Sequence, residues 1–238
     1  MKTTPHTVLI TGGATGIGLA LAKAFHARGN RIILVGRRAG KLEDAARMLG
    51  GACICCADIT QDADRAQLVA QYPNITILIN NAGIQNNGAF SAQSPADIEQ
   101  ELNTNLIAPI LLTHAFLPHL ACQPEAAVIN VTSGLALVPK ENAAVYGATK
   151  AALRNFTQSL RWQLESTSVR VFELVPPLVE SAMTQGRGTG KISPEALADI
   201  FWQAFERDIY DILAGKSRLL AWINRLAPKT AQRIMRKA

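Results

Sequence analysis

The stretch TVLITGGATGIGLALAKAFHARG, Thr7 to Gly29, reads as a strand, a glycine turn and a helix in immediate succession. TVLIT is a short apolar run that breaks at Gly12 and Gly13. Beyond Gly16 and Gly18, the residues Ile17, Ala20, Leu21, Ala24 and Phe25 recur at helical spacing, and Gly29 ends the helix. The same alternation continues outward. Apolar runs at 31–36, 52–57, 75–80, 126–132 and 169–175 read as further strands. Between them KLEDAARMLG, DADRAQLVAQY and the segments 95–120 and 143–166 read as helices. The strands are solidly apolar rather than alternating, as strands are when helices cover both faces of a sheet. Strict strand–helix alternation with short connections predicts an α/β fold, a doubly wound parallel sheet in a single domain.

The bulk properties narrow the function. The chain has 238 residues, 48% hydrophobic and 18% charged, which suits one globular α/β domain without low-complexity segments. No apolar run approaches the ~18 residues of a membrane span, and the start, MKTTPHTVLITGG, lacks the apolar core of a secretory signal, so a cytoplasmic location is expected. Cys53, Cys55 and Cys56 crowd together and Cys122 stands apart, which fits neither zinc spacing nor a disulfide framework; buried strand positions are expected for the cluster. The four histidines are scattered, so no metal is expected. Of the 24 Lys and Arg, seven lie in residues 212–238 with no acid among them, so the net charge of +6 belongs to the tail. A nucleic-acid partner is therefore not expected.

TGGATGIG, Thr11 to Gly18, joins the first strand to the first helix. Glycines there allow a tight turn and let backbone N–H groups approach a pyrophosphate at the positive helix end. At the end of the second strand, where a carboxylate would grip ribose hydroxyls, the chain reads VGRR: Gly36 is uncharged, and Arg37 and Arg38 follow. Guanidinium groups there pair with a 2′-phosphate that a carboxylate would repel, so NADP(H) is expected over NAD(H). YGATK sets Tyr146 one helical turn ahead of Lys150, on one face. By itself this is an ordinary polar pair.

These motifs together resemble the short-chain dehydrogenase/reductase family, from about Val8 to Ala214. TGGATGIG is similar to its glycine motif, NNAG (Asn80 to Gly83) to its strand-four signature, and YGATK to its Y-x-x-x-K active site. Ser133 in NVTS and Asn105 in NTNLIAP match the remaining catalytic positions, and PPLVESAM (176 to 183) resembles the segment that closes over the nicotinamide. The resemblance implies a Rossmann-type fold and an oxidoreductase moving hydride between NADP(H) and a small carbonyl or alcohol substrate. It makes Tyr146 the general acid/base and Lys150 the group that holds the ribose and lowers the phenol pKa. Ser133 orients the substrate oxygen, and Asn105 holds a water behind Lys150. It places Gly12, Thr15, Gly16, Ile17, Gly18, Arg37, Arg38, Asp58, Ile59, Asn81, Ala82, Gly83, Val179 and Ser181, with Tyr146 and Lys150, around the cofactor. Asp58 would also suit a helix cap. Pro177 and Ser181 depart from the family's usual Gly and Thr. Lid and tail resemble a bacterial branch named for D-alanine esterification of teichoic acids, the DltE-like branch.

The substrate itself is not legible. An NADP(H)-binding regulatory or scaffold protein with little turnover is the alternative, disfavoured by the intact Asn105, Ser133, Tyr146 and Lys150. Family members imply a homodimer or homotetramer formed by helices 95–120 and 143–166, with Leu106, Ile110, Phe156 and Leu160 outward. The expected domain spans 1–215, and 216–238 form a C-terminal basic amphipathic helical tail. Its Leu219, Trp222, Ile223 and Leu226 make an apolar stripe; Pro228 breaks the helix, and Ile234 and Met235 continue on a second. Packing on the body is the first expectation for that stripe, and peripheral membrane contact is the second.

Overall fold

The computed structural model describes residues 1–236; the last two positions of the expected tail, 237 and 238, lie outside them. Seven strands form one parallel sheet: β1 (Thr7–Thr11), β2 (Arg31–Gly36), β3 (Cys53–Cys56), β4 (Ile77–Asn80), β5 (Ala126–Val131), β6 (Val169–Val175) and β7 (Asp211–Leu213). Their order is β3-β2-β1-β4-β5-β6-β7, so the winding reverses between β1 and β4 and opens a crevice at the carboxyl ends of those strands. Successive residues point to opposite faces: Val8 and Ile10 enter one core, Leu9 the other. Helices α1 (Gly16–His26), α2 (Ala39–Met48) and α7 (Pro194–Phe205) close the first core. The second is closed by α3 (Asp62–Gln71), α5 (Ala108–Ala121) and α6 (Ala144–Gln163), with α4 (Pro95–Leu102) running into α5.

Several expectations change. The sequence reading places no element between the lid and the tail, yet α7 packs tightly there: Phe25 of α1 meets Trp202 edge-on at 5.1 Å and Phe205 at 5.5 Å. Ser193 caps α7 through the Ala196 N–H and Pro194 opens it, an ordinary start signal that was legible. The short β7 was not legible, because three residues carry no periodicity. The cysteines of β3 are not buried: β3 is an edge strand, where Cys53 and Cys55 are half-buried and Cys56 is exposed. The helical run Pro95–Ala121 is long and apolar enough to cross a membrane, contrary to expectation; 44% of its most apolar window is buried here because its inner side is part of the second core. Leu160 is in that core rather than on an outer face, while Ile107, Leu111 and Trp162 are the exposed large apolar residues of these helices.

The tail forms α8 (Lys216–Leu226) and α9 (Pro228–Arg236), and its stripe divides. Leu220, Ile223, Ala231 and Met235 pack with Leu137 and Val138, whereas Leu219, Trp222, Leu226 and Ile234 remain exposed. Helical geometry forces the division, since Trp222 and Ile223 lie about 100° apart on the helix.

The turn into α1 depends on a missing side chain. A Cβ at Gly18 would run into the Gly12 carbonyl oxygen and stand 2.6 Å from Asn81 Nδ2. Gly18→Ala should therefore destabilise the fold by about 1–3 kcal/mol, read as a lower urea midpoint at unchanged slope. Gly40→Ala, at a helical site with nothing within 4 Å, should leave that midpoint equal or slightly higher.

Candidate active site

The crevice is held by polar side chains in the interior of the sheet. Asn80 Nδ2 donates to Thr113 Oγ1 at 2.9 Å and to Asn130 Oδ1 at 2.8 Å, and Asn130 Nδ2 donates to Thr157 Oγ1 at 2.9 Å. The chain of bonds links β4, β5, α5 and α6. Next to it, Thr11 Oγ1 accepts from the backbone N–H groups of Asn81 (3.0 Å) and Ala82 (3.1 Å). Asn81 Nδ2 returns bonds to the carbonyls of Thr11 and Gly12. Asn80 thus ties the sheet, and Asn81 fastens the glycine loop to β4.

That loop suits a dinucleotide. Gly12 and Gly16 adopt φ of +64° and +53°, where a side chain would be strained. Thr15 precedes α1 without a side-chain cap bond, and the first turn holds no acid, so the helix start suits an anion at the leading N–H groups of Ile17 and Gly18. Ser181 lies beside the loop, its Cβ 3.5 Å from where a Gly16 Cβ would stand, and Val179 is buried in the same segment. Arg37 and Arg38 are exposed past Gly36, with Arg37 Nη1 3.7 Å from Asp58 Oδ2. Asp58 does not cap α3, whose N-cap is Gln61; it closes a turn by accepting from Thr60 N at 3.0 Å and Oγ1 at 2.8 Å. Ile59 is buried beneath it in the second core.

The four expected catalytic residues converge at the ends of β5, α4–α5 and α6. Lys150 is buried and donates to the Val131 carbonyl at 2.9 Å, with its Nζ 5.8 Å from the Tyr146 ring centre. Asn105 sits in a π-helical turn, Asn103–Ile107, between α4 and α5. This widened turn is invisible to a periodicity reading and often marks functional sites. The Asn105 amide grips the Ile84 backbone at both ends, accepting at 2.9 Å and donating at 2.8 Å, and also reaches Thr149 Oγ1 at 3.4 Å. Its side chain is thus held by the Ile84 backbone and Thr149. Gly83 fits against both groups: a Cβ there would lie 3.2 Å from Asn105 Oδ1 and 3.7 Å from Lys150 Nζ.

A sequence profile for short chain dehydrogenases matches residues 6–191. The chain belongs to the short-chain dehydrogenase family. Among relatives, the dehydrogenase is 43% identical to the oxidoreductase DltE of Bacillus subtilis over 191 residues, covering 78% of this chain and 76% of the other. It is 35% identical to the NADP-dependent 3-hydroxy acid dehydrogenase YdfG of Shigella flexneri, covering 72% of each chain. A short chain dehydrogenase from Burkholderia cenocepacia, solved in complex with NADP, superposes with a TM-score of 0.90 at 25% identity over 99% of both chains. The resemblance read from the motifs, including its DltE-like character, is thereby shown.

The electrostatics of the dehydrogenase depart from the expected picture. Burial pushes the Tyr146 phenol up to about 12; a hydrogen bond from Ser133 opposes this, the Glu101 charge adds to it, and the Arg187 charge opposes it. Burial likewise depresses Lys150 to about 8. The expected lowering of the phenol by Lys150 is not seen in the protein by itself. Both heads are out of water, and one of the three ammonium donors is taken by the Val131 carbonyl. Three charged groups here escaped the sequence reading. Glu173, buried on β6, accepts from Thr132 Oγ1 at 2.6 Å and from Arg154 one turn past Lys150, bracing the strand end that carries Ser133. Glu101 stands one turn before Asn105, and Arg187 lies in the lid between two glycines. Helical spacing from Asn105 was the available signal for Glu101, and the Gly-Arg-Gly run that for Arg187.

The Lys150 shift has a sign that can be checked. Its folded value, about 8, lies below the ordinary 10.5, so between them the unfolded chain binds more protons and stability rises with pH. The gain should be about 2 kcal/mol between about pH 7 and 9.5. Tyr146, shifted the other way, lowers stability only above about pH 10. Denaturant titrations across this range should show the rise in the parent and its loss in Lys150→Met.

Proposed function

We propose that the dehydrogenase is an NADPH-dependent reductase, reversible as an NADP⁺-dependent alcohol dehydrogenase, acting on a small carbonyl or alcohol compound. The observation that carries the cofactor choice is uncharged Gly36 at the end of β2, followed by the exposed Arg37 and Arg38, which outnumber the one nearby carboxylate, Asp58, 3.7 Å from Arg37. The cradle of Gly12, Gly16 and Gly18 with the uncapped start of α1 would hold the diphosphate, Asp58 and Ile59 the adenine side, and Val179 and Ser181 the nicotinamide side. The relative from Shigella flexneri, named as NADP-dependent, supports the same choice. When bound, the reduced dinucleotide supplies the hydride that adds to the carbonyl carbon. Tyr146 donates its proton to the carbonyl oxygen, and its raised pKa keeps that proton in place through neutral pH. Ser133 donates a hydrogen bond to the same oxygen as charge develops on it. Lys150 carries positive charge behind the phenol.

Tyr146→Phe should retain NADPH binding and lose at least ~10²-fold in turnover of whichever ketone, aldehyde or quinone is best in an absorbance panel. In the same panel the parent should bind NADPH more tightly than NADH, and Arg37→Ala should weaken NADPH by about 10- to 100-fold with little change in NADH. Equal affinities for the two dinucleotides in the parent would refute the cofactor choice. A parent that binds NADPH yet reduces nothing would favour the regulatory alternative.

A cytoplasmic homodimer or homotetramer, joined through α4–α5 and α6 where Ile107 and Leu111 are exposed, belongs to the same reading. So does membrane contact through the tail, because Trp222 and Leu226 are each 63% exposed beside Arg218 and Arg225. Sedimentation with anionic vesicles at low salt should pull down the parent and leave the Trp222→Ser, Leu226→Ser double variant in solution. A parent that stays in the supernatant equally would remove the membrane from the picture.

A further inference from the structure

Ser133 is delivered by β5, but its hydroxyl is set by the residues that follow it. A 3₁₀ turn, Gly134–Ala136, begins there. Ser133 Oγ accepts from the Leu135 N–H at 3.1 Å, and the Ser133 carbonyl accepts from the Ala136 N–H at 2.9 Å. A hydroxyl that accepts on one side directs its own proton away from that donor, so the place of Leu135 decides where Ser133 can donate. The Leu135 carbonyl lies against α6 beside Tyr146: a Cβ at Gly147 would stand 3.7 Å from it. So short a 3₁₀ turn has poor hydrogen-bond geometry of its own and is held by what packs on it.

What packs on it is the tail. Ser217, Leu220, Ile223 and Asn224 fall on one face of α8 by their spacing. Ser217 and Leu220 are buried, and a Cβ at Gly134 would stand 3.4 Å from Ser217 Oγ and 3.7 Å from Leu220 Cδ2. α8 therefore lies on the first residue of the turn. At the other end, where Leu137 closes the turn, half-buried Asn224 donates from Nδ2 to the Leu137 carbonyl at 3.2 Å, across 87 positions of sequence. α9 fastens the segment further on: the Glu141 N–H donates to the Arg236 carbonyl at 3.2 Å, and Arg236 Nε donates to Glu141 Oε2 at 3.0 Å. The Arg236–Glu141 ion pair is exposed and adds little, whereas the Asn224 bond acts on the turn itself.

We propose that Asn224 is a positioning residue for the reaction: through the Leu137 carbonyl it holds the Gly134–Ala136 turn, the turn holds Ser133 Oγ, and the tail thereby sets how well the serine meets the reacting oxygen. The proposal rests on the reductase reading for its chemistry and goes beyond it by making the C-terminal tail part of the catalytic frame.

Asn224→Asp keeps the size of the side chain, removes the donor and sets a carboxylate oxygen against the Leu137 carbonyl. The carbonyl probe is 2,3-butanedione or, failing it, the panel compound that the parent reduces fastest. With NADPH saturating, Asn224→Asp should lower kcat about 10-fold at unchanged NADPH affinity, and Asn224→Gln, which keeps an amide donor, should recover part of it. Ser133→Ala should lower kcat by ~10²-fold, and adding Asn224→Asp to it should cost no more than a further ~2-fold, because the serine through which Asn224 acts is gone. Hydrogen exchange followed by NMR reads the same link without turnover. The Leu135 amide should exchange at least ~10-fold faster in Asn224→Asp and in Ser133→Ala, while the amides of β5 keep their parent rates. Full, multiplicative losses in the double variant would overturn the proposal, as would an unchanged kcat or an unchanged Leu135 rate in Asn224→Asp. Weaker NADPH binding or faster exchange throughout β5 in that variant would also overturn it, since Asn224 would then only support the fold. A parent that reduces no carbonyl compound would instead overturn the reductase reading, and the Leu135 exchange rate would then decide by itself whether Asn224 holds Ser133.

Discussion

The hydrogen-bond chain Thr113–Asn80–Asn130–Thr157 is the constraint on which the site depends. Its members come from α5, β4, β5 and α6, the elements that deliver Asn105, Ser133, Tyr146 and Lys150. Two asparagines buried at paired positions of neighbouring parallel strands, Asn80 opposite Asn130, can share this bond only in that register, with Asn80 Oδ1 left without a partner. A slip would leave amides unpaired at about 1–3 kcal/mol each, so the polar chain selects one alignment where apolar residues would accept several. The Thr11–Asn81 clamp extends the same logic to the glycine loop and fixes the crevice on its other side.

Around this frame the protein concentrates buried charge. Lys150, Glu101 and Glu173 are buried and Arg187 is half-buried, and burial opposes the ionised form of Lys150, Glu101 and Glu173. Such groups persist where they have partners or a task. Lys150 has the Val131 carbonyl, and Glu173 has Thr132 and Arg154. Glu101 and Arg187 each retain one buried atom without a hydrogen-bond partner. The π turn at Asn103–Ile107 belongs with these features, since a regular helix would turn Asn105 about 100° per residue out of step with Ile84.

Much of this was legible in the residues because the determinants are local. Thr7 to Gly29 encode strand, turn and helix through spacing and glycines, and the same signals recur to β6. Tyr146 and Lys150 share a helix face by their separation alone, and the VGRR dipeptide pair announces its charge without a fold. Other features resisted because burial is a collective property. Cys53 to Cys56 read as an interior strand but lie on the sheet edge, and Leu160 reads as an outer residue but lies inside. Trp222 and Ile223 read as one stripe, yet only the second faces the body.

The chain by itself determined the doubly wound topology, the glycine turn into α1 and the placing of Tyr146 and Lys150 on one helix face, since hydrogen bonding and side-chain period act over a few residues. Tertiary structure alone decided which charges are dehydrated, that the Lys150 ammonium serves the Val131 carbonyl, and that Glu101 and Arg187, 86 positions apart in sequence, both act on the charge of one phenol. Protonation and partnership depend on what displaces water around a group, and that is set by residues distant in sequence and brought together only by the fold.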